Sequence, residues 1–378
     1  MQTYKISNTI KDTILAIGPE SAGNFSVFKN GTVYHSEHFG DLLSEDIFQT
    51  FQKNMLDFLK KKNITPNIIL SDLHPQYKTT ILAENLAKKM NSKHVKIQHH
   101  LAHISTSYGE NILLKSKNTK KDIFYGIAMD GTGYGHDEKI WGGEVFKLYF
   151  KNNVLTHERI GHLENQILLG GELAIREPAR ILIGILNNFL KKEEIFEYIK
   201  KYYNQNQFNL LYSQLQQDFN CLETSSTGRI LDATSLLLGF SSNTRKYKHE
   251  PIDMLEKNST TPLLILPQLH THDSQIILDT TYLFKFLINN INKDKKRLAA
   301  TAQIYLAHGF YEIITQYIKQ IDNSNSHPQI FIGGGVSNTK IISDYFESKN
   351  SLLNKKIPRG DAGLSFGQII YFLLTQQK

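Results

Sequence analysis

The sequence contains a single cysteine, Cys221, among its 378 residues. One thiol can build neither an internal disulfide framework nor a cysteine-based zinc site. No apolar run approaches the roughly 20 residues that a membrane-spanning helix requires. The N-terminal stretch also lacks the charged, apolar and small-residue zones of a secretory signal. The sequence therefore predicts a cytoplasmic protein with no membrane partner.

Other familiar signatures are absent too. The chain has no GxSxG serine elbow, no GxxxxGK(S/T) phosphate loop and no protein-kinase signature. Its net charge of +7 comes from lysines spread along the chain, which is typical of a solvated surface and makes a nucleic-acid partner an unfavoured interpretation. Arginine is scarce, with seven residues, and four of them fall in glycine-rich or proline-containing motifs: Arg176, Arg180, Arg229 and Arg359.

The order of predicted elements indicates a duplicated α/β fold. Residues 13–39 read as three short strands joined by tight turns, and residues 123–160 repeat that pattern as strand, glycine turn, strand, KNN turn and strand. Helical periodicity follows each meander, at 46–62 and at 179–203. This plan resembles the two ribonuclease-H-like lobes of actin-like ATPases, which hold nucleotide in the cleft between them.

We accordingly predict two lobes with a metal ion and a nucleotide between them. The first lobe would span 1–122 and the second 123–378, with the C-terminal helix packing back on the first lobe. A strand, loop and helix are expected at 330–346. The polar stretches 190–225 and 241–275 read as surface insertions or connectors.

The stretch QHHLAH at 98–103 holds the first candidate site. On a helix, His99 and His103 are four residues apart and project from one face, where two imidazoles can share a cation, whereas His100 points elsewhere. Two glycine-rich turns offer carboxylates, Asp130 in MDGTGYG and Asp361 in PRGDAGLSFG. Such a set suits Fe(II), Zn(II) or Mn(II). Histidines satisfied by ordinary hydrogen bonds are the alternative.

Glycine-rich loops offer candidate phosphate contacts. The loop DGTGYG would leave the backbone N–H groups of Gly131, Thr132 and Gly133 free, and GGGVSN at 333–338 precedes a helix. Tight turns also use glycine for conformational reasons alone. In SSTGRILDATSLLLG, Asp232 could face the cleft or belong to a capping segment.

Two arginines offer a candidate anion contact. Arg176 and Arg180 are expected one helical turn apart, where they could bind an anionic ligand. An internal pair between an arginine and Glu177 is the alternative.

These motifs together resemble a known family. In the same order, they resemble motifs of the C-terminal carbamoyltransferase region of the HypF family of NiFe-hydrogenase maturation proteins: SDLHPQYKTTILAENLA, IQHHLAHISTSYGE, IAMDGTGYGHDEKIWGGEVF, IREPAR, SSTGRILDATSLLLGF and PRGDAGLSFGQ. The likeness spans almost the whole chain. It implies a stand-alone form of that region, without the acylphosphatase-like, zinc-finger and YrdC-like modules of full-length members.

The resemblance implies a chemistry and a set of roles. A separate YrdC-like protein would use ATP to make carbamoyladenylate, and this chain would pass the carbamoyl group to the C-terminal cysteine of HypE. By motif, the divalent metal, Fe or Zn, would bind His99, His103, Asp130 and Asp361. Catalytic roles would fall to Arg176, Arg180 and His74. The nucleotide would be lined by Gly131, Thr132, Gly133, Gly228, Asp232, Gly334, Gly335 and Asn338.

The sequence departs from the family pattern at several positions. A usual lysine near the first strand is absent from SAGNF at 21–25, and a second is replaced by Leu173. The loop at 247–250 lacks a usual glycine, and GGGVSN is shorter than the common form. The lost lysines favour a non-catalytic nucleotide-binding or scaffold homologue. A tRNA threonylcarbamoyladenosine transferase, which shares the fold and an HxxxH pair, and a small-molecule O-carbamoyltransferase are further alternatives.

Overall fold

The computed structural model describes residues 1–6, 10–114, 121–321 and 328–376. The strands are β1 (Gln2–Lys5), β2 (Ile14–Ile17), β3 (Phe25–Lys29), β4 (Thr32–His35), β5 (Ile68–Asp72), β6 (Lys93–Ile97), β7 (Ile123–Tyr134), β8 (Ile140–Lys151), β9 (Val154–Leu163), β10 (Gln166–Leu169), β11 (Cys221–Thr224), β12 (Leu269–His272), β13 (Gln275–Leu278), β14 (Ile330–Gly333) and β15 (Leu352–Leu353).

The helices are α1 (Glu45–Lys61), α2 (Lys78–Met90), α3 (His99–Tyr108), α4 (Leu173–Arg176), α5 (Pro178–Leu186), α6 (Lys192–Ile199), α7 (Gln205–Gln216), α8 (Thr227–Leu238), α9 (Glu250–Lys257), α10 (Thr280–Asn289), α11 (Lys295–Ile321), α12 (Lys340–Ser348) and α13 (Leu364–Thr375). A π-helical turn, Gly109–Leu113, continues α3. Across the described ranges, no helix is both long and apolar enough to cross a membrane.

Two sheets share one strand order. The first runs β1-β4-β3-β2-β5-β6, and the second contains β9-β8-β7-β14-β15, extended at one edge by β13 and β12. In each, three antiparallel strands form a meander, and two further strands add in parallel beside the first strand of that meander. The duplication predicted from the sequence is therefore confirmed, together with the α/β fold class. Because the first sheet ends at β6 and the second begins at β7, we propose a lobe boundary near residue 122.

The duplication extends to the hairpin turns. Lys29 pairs with Thr32 and Lys151 pairs with Val154, so each hairpin has a two-residue loop. Both loops have positive φ at their two central residues, Asn30-Gly31 and Asn152-Asn153. Positive φ at both positions matches the twist of the flanking strands and favours asparagine and glycine. The two KN dipeptides thus fix equivalent turns in the two lobes.

The segment 170–186 differs from the predicted single helical turn. The chain forms α4 and then α5, with Glu177 at φ −118° and ψ 85° between them. Pro178 disfavours helical geometry in the residue before it and is well suited to the first position of a new helix. Arg176 and Arg180 therefore lie on two separate helices.

Helix α13 joins the second half of the chain to the first sheet. It contacts β2, β3 and β5 as well as α3. The hydroxyl groups of Ser26 and Ser365 are 2.8 Å apart, and Ser26 Oγ also lies 2.8 Å from Nδ1 of His35. The His35 ring meets the edge of Phe366. All four residues are buried, so this polar contact sits inside the apolar interface between α13 and the sheet.

We expect His35 to make stability fall with acidity. Burial lowers the pKa of His35 to about 4, partly opposed by a hydrogen bond with the main chain of Ala362. Because the folded-state pKa lies below the unfolded value near 6.5, the neutral ring's contribution is present at pH 7 and is lost as pH falls toward 4. The linkage amounts to about 2 kcal/mol between pH 7 and pH 5.

Urea unfolding of the wild type and of His35→Asn at pH 7 and pH 5 measures this change in the free energy of unfolding. Asparagine keeps a polar group for Ser26 but does not titrate. The variant should lose about 2 kcal/mol less on acidification than the wild type does. An equal loss in both proteins would assign the acid sensitivity to other groups.

Candidate active site

Four predicted ligands meet between the two sheets. The two imidazoles come from α3, Asp130 from β7 and Asp361 from the segment before α13, and one ligand atom from each lies within 4.8 Å of the others. Nε2 of His103 is 3.1 Å from Nε2 of His99, and each of these nitrogens lies 3.1–3.5 Å from oxygens of the two carboxylates. We call His99, His103, Asp130 and Asp361 the four-donor cluster.

Helix α3 presents its histidines in a fixed geometry. The side chain of Gln98 accepts the backbone N–H of Leu101 and so caps the helix. His99 and His103 are fully buried one turn apart, and their rings are nearly perpendicular. His100 faces away from the cluster, with Nδ1 2.9 Å from the amide of Gln98. Burial and the neighbouring His99 lower the pKa of His100 to about 3, so this ring stays neutral.

Asp130 reaches the cluster from a β-bulge. The sequence predicts a turn at DGTGYG, but β7 continues through it to Tyr134 and the chain reverses later. Met129 pairs with Gly143 and Gly133 with Trp141, so three residues of β7 face one residue of β8. A bulge of this kind bends the strand and redirects its side chains. The bulge places the Asp130 carboxylate among the imidazoles. In an unbroken strand, successive side chains would continue to alternate between the two faces of the sheet.

Asp72 supports the cluster from the end of β5, and sequence reasoning missed it. Its Oδ2 lies 2.6 Å from Nδ1 of His99, which leaves Nε2 of His99 facing the other donors. A carboxylate behind a ligating histidine fixes the ring orientation and raises its basicity. The available signal was the acidic residue in SDLHP, directly after an apolar strand-like run.

The electrostatics of the cluster are strongly coupled. Burial alone would lower the pKa of His99, but Asp72 and the hydrogen bonds that Asp130 and Asp361 accept raise it well above its ordinary value. Burial would raise the pKa of Asp130, yet the two imidazoles hold it well below its usual range. The imidazoles also lower the pKa of Asp361, so the carboxylates of Asp130 and Asp361 remain ionised. Two imidazole nitrogens and two carboxylate oxygens at this spacing fit a divalent cation of the Zn(II) or Fe(II) type.

Glu110 fastens the segment that leads to Asp361. This buried carboxylate, on the π-helical turn after α3, accepts backbone N–H bonds of 2.8–2.9 Å from Lys355, Lys356 and Ile357. Arg359 then donates to the main-chain oxygens of Asn354 and Ser337. The helix that carries two donors therefore also positions the segment that carries a third.

The predicted glycine loops gather around Asp130. A Cβ atom on Gly228 would lie 2.9 Å from Cα of Gly131, and one on Gly334, where φ is +93°, would lie 2.3 Å from the oxygen of Met129. The N–H of Gly335 donates to Oδ1 of Asp130 at 3.2 Å. Close backbone approach, which glycine permits, brings β7, α8 and the loop after β14 together.

The other four predicted nucleotide residues lie in different surroundings. Gly133 packs on α3, because a Cβ there would lie 2.5 Å from the ring of His100. Thr132 is half-buried in the bulge, and Asn338 is exposed, with its amide donating to the oxygen of Gly335. Asp232 is buried and forms ion pairs with Arg229 and Arg245.

The predicted catalytic residues are not all in one place. His74 is half-buried, stacks on Tyr77 at 4.1 Å and meets the edge of Tyr134, close enough to His99 for their charges to interact. Arg176 is exposed. Arg180 pairs with Glu177 at 2.6 Å, which is the internal ion pair given above as the alternative to ligand binding. Arg180 also lines a surface cavity, and no residue of the four-donor cluster lines that cavity. The exposed Leu173 lines the same cavity.

Comparison with known proteins shows the family of the chain. Residues 126–368 match the family model described as "Carbamoyltransferase, Kae1-like Domain, second subdomain", and residues 9–110 match the "HypF Kae1-like domain" model. The chain belongs to the HypF carbamoyltransferase family. It is 36% identical over 389 residues to the "Probable carbamoyltransferase HypF" of Methanocaldococcus jannaschii, an alignment that covers 99% of this chain and 48% of that protein.

Two other HypF proteins allow the length and the fold of the chain to be compared. The "Carbamoyltransferase HypF homolog" of Cupriavidus necator is 26% identical over 366 residues, covering 94% of this chain and 90% of the relative. A crystal structure of full-length HypF in a phosphate- and nucleotide-bound form superposes with a TM-score of 0.86 at 22% identity, over 100% of this chain and 57% of that one. The chain thus spans about half the length of some HypF proteins and nearly all of another.

Proposed function

We propose that this chain is a metal- and nucleotide-dependent carbamoyltransferase. It would transfer the carbamoyl group of carbamoyladenylate to the C-terminal cysteine of HypE, in the synthesis of the cyanide ligands of NiFe-hydrogenase. The observation that carries the proposal is the buried four-donor cluster between the two sheets of a HypF-family chain. A separate YrdC-like protein would supply the carbamoyladenylate.

The four-donor cluster would make the carbamoyl carbon more electrophilic. We propose that its four donors hold one Fe or Zn ion, with Asp72 fixing the ring of His99. When bound, that ion polarises a carbonyl oxygen as a Lewis acid. The carbon–sulfur bond then forms as the bond between the carbamoyl carbon and the phosphate oxygen breaks, AMP leaves and the thiol proton is released.

His74 is suited to act as a hydrogen-bond donor in this reaction. The backbone N–H of Gln76 points at Nδ1 of His74 at 3.2 Å, so the neutral ring carries its proton on Nε2. Burial lowers the pKa of His74, which keeps the ring neutral near pH 7. We propose that Nε2–H binds the oxygen that gains charge as the thiol adds. Arg176 and Arg180 stay predictions, and for Arg180 the pair with Glu177 favours a structural role.

The nucleotide would bind beside the cluster, along the bulge of β7, the start of α8 and the loop after β14. We propose that Gly131, Gly228, Gly334 and the buried Asp232 border this space, and a HypF structure of the same fold is described as nucleotide-bound. Backbone at a helix N-terminus favours a phosphate. Thr132, Gly133, Gly335 and Asn338 remain predicted contacts.

The attacking thiol would come from the partner. Cys221 lies on β11, half-buried, and burial raises the pKa of its thiol, which disfavours the thiolate. It belongs neither to the four-donor cluster nor to the glycine loops around it. A protein acceptor such as HypE supplies the nucleophile that the site requires.

Intact-mass analysis tests the proposal. HypE is incubated with this protein, a divalent metal and a YrdC-like module making carbamoyladenylate from carbamoyl phosphate and ATP. We expect a carbamoyl increment on the C-terminal cysteine of HypE that disappears when this chain is omitted. No increment, with metal bound and adenylate demonstrated, would favour a different acceptor or a non-catalytic homologue.

A further inference from the structure

Lys248 stands at the edge of the four-donor cluster. Its ammonium nitrogen lies 3.8 Å from Oδ2 of Asp361, while its side chain keeps 53% of its surface exposed. It belongs to the segment 241–249 between α8 and α9, which the sequence predicts to be part of a surface insertion. That segment instead extends to the candidate active site.

The main chain around Lys248 is held in place from several sides. Arg245, whose side chain is largely buried, pairs with Asp232 of α8 and donates through Nη1 to the carbonyl oxygen of Lys248 at 2.8 Å. The buried carboxylate of Glu250 accepts the backbone N–H of Lys246. Farther back, Asn243 accepts the N–H of Ala179 at the start of α5. Position 248 is thus fixed relative to the cluster, and about half of its side chain is exposed.

Three neighbouring residues with donor groups already contact a carboxylate. Arg229 and Arg245 both bind the carboxylate of Asp232, and the N–H of Gly335 is directed at Asp130. The contact of Lys248 is longer than these, because its ion pair with Asp361 spans 3.8 Å. A cation held by Asp361 would repel the ammonium group and release it toward any anion nearby.

The chemistry of the proposed substrate places an anion within reach. In carbamoyladenylate one oxygen joins the carbamoyl carbon to the phosphorus, so a carbamoyl group at the cluster brings the phosphate beside it. We propose that Lys248 is a positioning residue that binds this phosphate and holds the carbamoyl group against the cluster. The inference rests on the proposed function. A lysine ammonium serves as a point-charge ligand for phosphate, as this role requires.

Calorimetric titration with AMP and with adenosine, each in the presence of zinc, tests Lys248. The variant Lys248→Gln should bind AMP about tenfold more weakly, the effect of one charge-assisted hydrogen bond, and should bind adenosine within about twofold of the wild type. Lys248→Arg should recover most of the AMP affinity. Zinc affinity of Lys248→Gln should not fall, because removing an adjacent positive charge does not weaken a cation site.

Lys246→Gln is the matched control, since Lys246 is an exposed lysine two positions away on the same segment. It should bind both ligands as the wild type does. If Lys248→Gln binds AMP as tightly as Lys246→Gln, or loses AMP and adenosine equally, the assignment of Lys248 is overturned and the carbamoyltransferase proposal stands. If the wild type binds neither ligand, the proposed function fails and this inference fails with it.

Discussion

Replacing His103 with alanine is expected to weaken divalent-metal binding by more than about 100-fold. Loss of a residue that only supports a ligand already costs 10- to 100-fold, and His103 would be a ligand itself. Its Nε2 lies 3.4–3.5 Å from oxygens of Asp130 and Asp361, and among the described residues His99 is the only other imidazole in the four-donor cluster. Two carboxylates and one imidazole would remain.

Equilibrium dialysis with Zn(II), followed by metal analysis of the dialysed protein, measures this loss. A ligand that binds the folded state raises the melting temperature, so zinc should stabilise the wild type and leave His103→Ala unchanged. His100→Ala is the matched control, because His100 is equally buried on the same helix but faces away from the donors. Stoichiometric zinc in His103→Ala would show that the metal binds elsewhere.

Gly367→Ala is expected to destabilise the fold by about 2 kcal/mol or more. Alanine normally favours a helix by about 1 kcal/mol, but here the added Cβ would lie 2.0 Å from the oxygen of Ala102 and 2.3 Å from Oγ1 of Thr106. Both atoms belong to α3, so the helices must move apart. Overpacking of a tight interface costs about 1–3 kcal/mol and occasionally more.

Chemical denaturation gives the free energy of unfolding for this variant and for Thr375→Ala. Thr375 lies half-buried at the end of the same helix, and its loss should cost less than about 1 kcal/mol. Metal affinity should fall together with stability in Gly367→Ala, since α3 carries two donors. A stability equal to that of the wild type would mean that the two helices separate without cost.

Much of the fold was predictable because it depends on local signals. The KN turns and alternating strands of each meander are short-range patterns, and their repetition indicates two equivalent lobes. The spacing of His99 and His103 likewise needs only helical geometry. In each case the residues that decide the structure are neighbours in the sequence.

The remainder depends on contacts between distant segments. DGTGYG reads as a turn, but pairing with β8 extends the strand and produces a bulge at Asp130. The link from Asp72 to His99 crosses from β5 to α3. Nothing in the polar composition of 241–249 indicates that Lys248 reaches Asp361, because the buried pair of Asp232 and Arg245 directs the segment there. The break before Pro178, in contrast, could have been found locally, from the restriction that proline imposes on Glu177.

The packing of α13 on the first sheet has a consequence for biosynthesis. A ribosome releases β2, β3 and β5 long before it makes α13, so the face of the sheet that this helix covers emerges without its partner. Asp361 immediately precedes α13 and arrives equally late. A growing chain therefore presents three of the four donors, His99, His103 and Asp130, long before Asp361, so the full set can capture the proposed metal ion only after residue 361 has been made. Arrested nascent chains that end before residue 361 should accordingly fail to retain zinc.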